Sequence, residues 1–196
     1  MKLKIYKVLL LVLIIALVCV IGLIAAKYFK RYKNEEENKK AVATFSESIM
    51  SQENEDVTMN GYKIIGIVRI PKINIEYPIV DIDTYNPEET KEPMKIAIVK
   101  YWGTNVNEYG NLSIAGHNNH DGTMFGKTKK LEIGDLVELT DLNNNRVQYE
   151  IYSKFITDPN DVTILKTEHE DIREVTLITC TNGNRERLIL KAREIK

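Results

Sequence analysis

The chain has 196 residues, is 43% hydrophobic and 28% charged, and contains only two cysteines. That excludes a collagen-like or linker-dominated chain, a disulfide scaffold and a four-cysteine zinc site, and leaves one domain of ordinary size with an appendage. The net charge of −1 hides an asymmetry: residues 1–40 carry nine Lys and Arg against three Glu, and the rest carry eighteen against twenty-five Asp and Glu. An acidic body argues against a nucleic-acid partner, whose footprint would be a basic face.

Residues 8–26 read VLLLVLIIALVCVIGLIAA, nineteen residues without a charge. A helix of ~20 residues crosses the ~30 Å hydrocarbon core of a bilayer. A water-soluble helix would show a polar face, and this one has none. A cleaved signal peptide would have a shorter apolar region of roughly 7–15 residues, ending in a small-x-small site. Here a bulky Ile24 stands three back from the candidate end at Ala26. Residues 8–26 are therefore expected to be an uncleaved transmembrane anchor. Lys2, Lys4 and Lys7 precede it; Lys27, Lys30, Arg31, Lys33, Lys39 and Lys40 follow. Charge counting does not settle the orientation, because a long following domain translocates largely regardless of flanking charge. Residues 27–57 are polar and charged, and read as a stalk or linker. Within them Val42, Phe45 and Ile49 recur at helical spacing, which suggests a helical stalk or a short packed helix.

From residue 58 to residue 196 the pattern is one of short strands. Residues 61–70, 73–80, 95–100, 111–116, 136–140, 147–156, 175–179 and 188–193 are β-branched or alternating runs. Turn chemistry separates them, as in Ile133-Gly134-Asp135, Asp158-Pro159-Asn160 and Asn182-Gly183-Asn184. Short helices are expected at 87–91, 123–129 and 159–165. About eight strands with few helices imply an all-β sandwich or closed barrel.

Cys19 lies in the apolar helix and reads as a packing residue. Cys180 is the one cysteine of the body, at the end of the apolar run 175–179 and before the turn at 182–184. A strand end opening into a loop holds a nucleophile rigidly yet accessibly. A thiol near pKa ~8.5 needs a histidine or a cation to react at neutral pH. His117 ends the apolar run 111–116; His120 sits in a loop of Asn and Asp, and His169 in an acidic run. Arg185 and Arg187 follow Cys180, and Arg187 leads the last apolar strand. His117, His120 and Cys180 could instead supply three metal ligands, but no further Cys or His is at hand.

Four segments resemble the sortases, the membrane-anchored cysteine transpeptidases of Gram-positive bacteria. Thr176-Leu177-Ile178-Thr179-Cys180 is similar to the TLxTC signature, and Arg187-Leu188-Ile189-Leu190 to the strand carrying the family's arginine. Ala115-Gly116-His117 resembles the histidine motif, and Ile70-Pro71-Lys72-Ile73 the opening IPKI segment. The resemblance implies an all-β fold, an eight-stranded closed barrel with a few short helices behind the transmembrane helix. It implies cleavage of an LPxTG-like C-terminal sorting signal between Thr and Gly through a thioester on Cys180. His117 would be the general acid/base, and Arg187 would stabilise the oxyanion and position substrate. The acyl group would pass to an amine of a peptidoglycan precursor or cross-bridge. The partners would be surface proteins bearing the signal. No metal or cofactor is required, although some members bind calcium. The implied location is the cell membrane, residues 1–7 cytoplasmic and residues 58–196 outside. Short loops around Cys180 and no second apolar span favour cell-wall anchoring over pilus polymerisation. Two other readings are an L,D-transpeptidase-like enzyme and a non-catalytic membrane-tethered β-domain with an inert Cys180.

Overall fold

The computed structural model describes residues 2–51, 56–82 and 89–195. The chain divides into two compact units, residues 1–37 and residues 38–196. One helix, α1 (Lys2–Ser51), contributes to both. Nothing between residues 27 and 51 stops it: that stretch holds no Gly and no Pro. In the first unit the helix is long and apolar enough to cross a membrane. Its apolar side chains, from Val8 to Ile24, stand exposed on every face.

The second unit is a barrel. Strands β2 (Tyr62–Ile70), β3 (Ile75–Val80), β4 (Ile98–Gly103), β5 (Gly110–Ala115), β6 (Leu136–Asp141), β7 (Arg146–Thr157), β8 (Arg173–Thr181) and β9 (Glu186–Glu194) form its wall. Their order is β2-β3-β4-β5-β8-β9-β7-β6, and β6 pairs back on β2 to close it. The eight-stranded closed barrel that the resemblance implies is thus present, with each of the eight runs inside or overlapping a strand. A two-residue strand, β1 (Thr58–Met59), adds to the start of β2. Two neighbour pairs, β3–β4 and β5–β8, are parallel; the others are antiparallel.

The helical segments are single 3₁₀ turns at Pro71–Ile73, Pro93–Lys95, Thr128–Lys130 and Thr163–Leu165. The last two fall at the ends of the expected helices 123–129 and 159–165. Of the helix expected at 87–91, residues 87 and 88 lie outside the described residues, and 89–91 form turns.

Successive side chains of a strand face opposite sides of the sheet. One set fills the barrel: Val68, Ile114, Val175, Leu177, Leu188 and Leu190 belong to a single interior cluster. The opposite set makes a second cluster outside the wall, with Val99, Ala115, Ile178 and Ile189. Ala41 and Phe45 of α1 and Ile164 of the β7–β8 connection cover it, and Phe45 is fully buried. Val42 and Ile49 pack against the same cluster. The stripe read from helical spacing is therefore a packed face of the second unit, and the candidate site lies on that outer side of the wall.

Candidate active site

Strands β5, β8 and β9 are neighbours; Cys180 lies on β8, Arg187 on β9, and His117 two residues past the end of β5. On β8, Cys180 is two residues beyond Ile178 and shares its outward face. The strand continues through Thr181 rather than stopping at residue 179. It is extended by the cross-strand pairs Cys180↔Arg187 and Thr181↔Glu186. The connecting loop is reduced to residues 182–185, where Asn182, Gly183 and Asn184 take φ of 48°, 65° and 70°. Three left-handed residues in succession suit Asn and Gly, which tolerate that region best. The tightness of this loop places Arg187 directly opposite Cys180.

Arg187 also faces Thr157 of β7, so strands pair with it on both sides. Its guanidinium is half-buried and donates from one nitrogen to the carbonyls of Asn184 and Glu186, each at 3.2 Å. Arg185 is exposed in the loop. Cys180 is half-buried, and so unlike a core cysteine.

The third member follows β5, which runs parallel to β8 in the register Ser113↔Thr176, Ile114↔Leu177, Ala115↔Ile178. Gly116 N–H donates to the Ile178 carbonyl at 3.1 Å. His117 follows Ala115 by two residues, as Cys180 follows its partner Ile178, and it lies just past the end of β5. Gly116 is required by space: a Cβ there would lie 2.5 Å from Ile98 Cδ1 and 2.9 Å from Phe125 Cδ2. Beyond it the chain turns away from β8. The His117 carbonyl accepts the Phe125 N–H at 3.0 Å, and Asn118 bridges to Met124.

His117 is half-buried. Burial first, and then the Lys95 cation, lower its pKa below the usual imidazole value. Both causes favour the neutral imidazole. His120 and His169 are both exposed. Among the described residues no group of three His, Cys, Asp or Glu is placed to hold a metal ion; the set His117, His120 and Cys180 does not assemble.

Two contacts at this end of the barrel have no sequence signature beyond their residue types. The buried Thr179 hydroxyl donates to the Gly116 carbonyl at 2.7 Å, and Asn118 Nδ2 donates to the Cys180 carbonyl at 2.7 Å. The β7–β8 connection, which puts Ile164 over the outer cluster, is tied down as well. Asn111 Nδ2 donates to the Leu165 carbonyl at 3.4 Å, and Lys191 Nζ to Glu168 Oε1 at 3.4 Å.

The fold is a closed eight-stranded barrel with Cys180 and Arg187 paired on adjacent strands and His117 just past the end of a third. Residues 68–195 match the sortase domain model, and the chain belongs to the sortase family. It is 34% identical over 116 residues to Sortase D of Bacillus subtilis (strain 168), covering 59% of this chain and 53% of that protein. Against Sortase A of Bacillus anthracis it is 28% identical over 128 residues, covering 65% and 57%. The matched stretch thus spans little more than half the length of these relatives. Among solved structures, a Clostridium perfringens Sortase D5 transpeptidase aligns with a TM-score of 0.64 at 29% identity, covering 83% of this chain and 98% of that one. Sortase C of Streptococcus pneumoniae aligns with a TM-score of 0.59 at 22% identity, covering 71% and 69%, a likeness of fold.

Proposed function

We propose that this chain is a cysteine transpeptidase. In this reading it cleaves an LPxTG-like C-terminal sorting signal between Thr and Gly and joins the protein to an amine of the cell wall. The observation that carries the reading is the direct cross-strand pair Cys180↔Arg187, with His117 two residues past the end of β5, which runs parallel to β8.

Neutral His117 takes the Cys180 proton. The thiolate attacks the Thr carbonyl carbon, and the oxyanion that forms accepts N–H bonds from Arg187. An Arg fork suits this task because its donors are planar and its charge permanent. Collapse breaks the Thr–Gly C–N bond, and the leaving amine takes the proton back from the imidazolium. A thioester remains on Cys180. An acceptor amine then attacks the thioester, loses its proton to His117 and forms the new amide, while the sulfur leaves and is reprotonated. Water in place of the amine gives hydrolysis as a side reaction.

Family membership and the apolar part of α1 support a single-pass anchor, residues 1–7 cytoplasmic and the barrel outside, where sorting signals and cell-wall amines meet. The test uses the full chain in detergent, a panel of sorting-signal peptides and an amine, with mass spectrometry of the protein. A thioester adduct on Cys180 and an amide product are expected. Cys180→Ala, which removes little volume from a half-buried position, is expected to fold and to lose both. Turnover by a well-folded Cys180→Ala protein sinks the assignment.

A further inference from the structure

The parallel ladder between β5 and β8 ends just where the candidate site begins. Its last backbone rung is Gly116 N–H to the Ile178 carbonyl. In a parallel pair the next rung would run from the N–H of residue 118 to the carbonyl of residue 180. The backbone does not make it, because the chain past His117 turns back on itself through the Asn118–Met124 bridge and the Phe125 N–H bond to the His117 carbonyl. The Asn118 side-chain amide makes that rung instead, at 2.7 Å to the Cys180 carbonyl. The Thr179 hydroxyl makes a second, at 2.7 Å to the Gly116 carbonyl. One bond therefore joins the residue before His117 to the residue before Cys180. The other joins the residue after His117 to Cys180 itself.

We propose that Asn118 is a positioning residue that fixes His117 against Cys180 by replacing, with its side chain, the ladder bond that the turning backbone gives up. The inference rests on the transpeptidase reading. Thr179 is buried, so its bond also holds the strands together. Asn118 is exposed, and its side chain fills no core space. Removing its amide leaves the barrel packed but frees the segment carrying the imidazole to drift from the thiol. Proton transfer needs hydrogen-bond reach, and misplacements on the order of 1 Å cost up to about 10²-fold in rate. A residue that acts only through the placement of His117 lowers kcat and leaves KM little changed.

The experiment uses the full chain in detergent on a Cys19→Ala background, so that Cys180 is the one thiol. Asn118→Ala and the near-isosteric Asn118→Asp, whose ionised carboxylate cannot donate, are compared with the parent. Acyl transfer to one active peptide gives kcat and KM. The rate of iodoacetamide alkylation across pH reports the thiol without any substrate, and Trp102 fluorescence reports thermal unfolding. Both variants are expected to lose about tenfold or more in kcat with KM within twofold, to shift the pH midpoint of alkylation and to unfold within a few degrees of the parent. A kcat within twofold of the parent, a superimposable alkylation profile, or a loss that tracks the unfolded fraction overturns the proposal. A parent that transfers no peptide while its alkylation responds to Asn118 refutes the transpeptidase reading alone.

Discussion

Phe45 separates two views of the segment between the anchor and the barrel. A solvated spacer would tolerate any substitution, whereas a packed helix would not. Phe45 is 0% exposed, within a cluster that also holds Ala115 and Ile178, each two residues from a proposed catalytic position. Phe→Ala in such a site costs ~3–5 kcal/mol, from the lost transfer energy and the cavity left behind. For a unit of this size each kcal/mol moves Tm by roughly 2–4 °C, so Phe45→Ala is expected to lower Tm by about 6 °C or more. Thr44→Ala, one residue away and exposed, is expected to stay within about 0.5 kcal/mol. The chain's single tryptophan, Trp102 on β4, reads barrel unfolding without interference from the apolar end of α1. Equal Tm for the two variants would show that residues 38–51 are not part of the folded barrel unit. A truncation at residue 58 would then be harmless; the packing predicts instead that it strips the cover from the outer cluster and lowers both stability and activity.

Other expectations concern the site. Arg187→Ala is expected to lower kcat/KM by about 10²–10³-fold, the usual cost of one preorganised oxyanion donor, while Arg185→Ala keeps most activity; the reverse ranking would move the assignment into the loop. His117→Ala is expected to cost roughly 10²–10⁴-fold, with His120→Ala and His169→Ala mild; three comparable losses reversed by added zinc would point to a metal site. Lys95→Gln removes the cation that disfavours protonated His117, so the imidazole pKa, followed by NMR, is expected to rise and the acid limb of kcat/KM to move to higher pH with it. The pKa stays below the usual value because burial, the larger cause, persists. The same shift fixes a stability effect. The folded state holds this imidazole neutral at pH values where the unfolded chain already protonates it. Stability is therefore lost as pH falls through about 6.5 toward the lowered folded value. Replacing His117 by Gln is expected to flatten that part of the pH–Tm curve.

The strands were legible because their signals are local. Runs such as 61–70 and 188–193 are apolar stretches that fall within or overlap β2 and β9, and each needs a window of fewer than a dozen positions. The pairing order was not legible, since placing β5 beside β8 and β7 beside β9 depends on contacts far apart in sequence. The helix was legible in part. Spacing marked Val42, Phe45 and Ile49, but spacing alone does not say which surface a helical stripe covers. The side-chain rung from Asn118 lay beyond sequence altogether. It exists because the backbone leaves the sheet after Gly116, and that departure is set by Phe125 and Met124, several residues on.

Arg185 and Arg187 differ in their places in the last hairpin. Alternation along an extended strand puts Arg185 and Arg187 on the same face, so parity does not separate them. Loop length does. With four residues in the loop, the pairs descend as Thr181↔Glu186, Cys180↔Arg187, Thr179↔Leu188. Arg185 falls inside the loop, with its N–H turned to the Asn182 carbonyl at 3.4 Å, and has no partner strand. A hairpin loop longer by two residues on each side would have ended the strand before Cys180 and left both arginines mobile. Asn182, Gly183 and Asn184 prevent this by accepting left-handed backbone at three successive positions. The short polar loop, which carries no chemistry of its own, is thus what gives the thiol a fixed cationic neighbour. Replacing Gly183 with a β-branched residue, which disfavours that backbone, is expected to impair Cys180 and Arg187 together while sparing the alkylation of a denatured control.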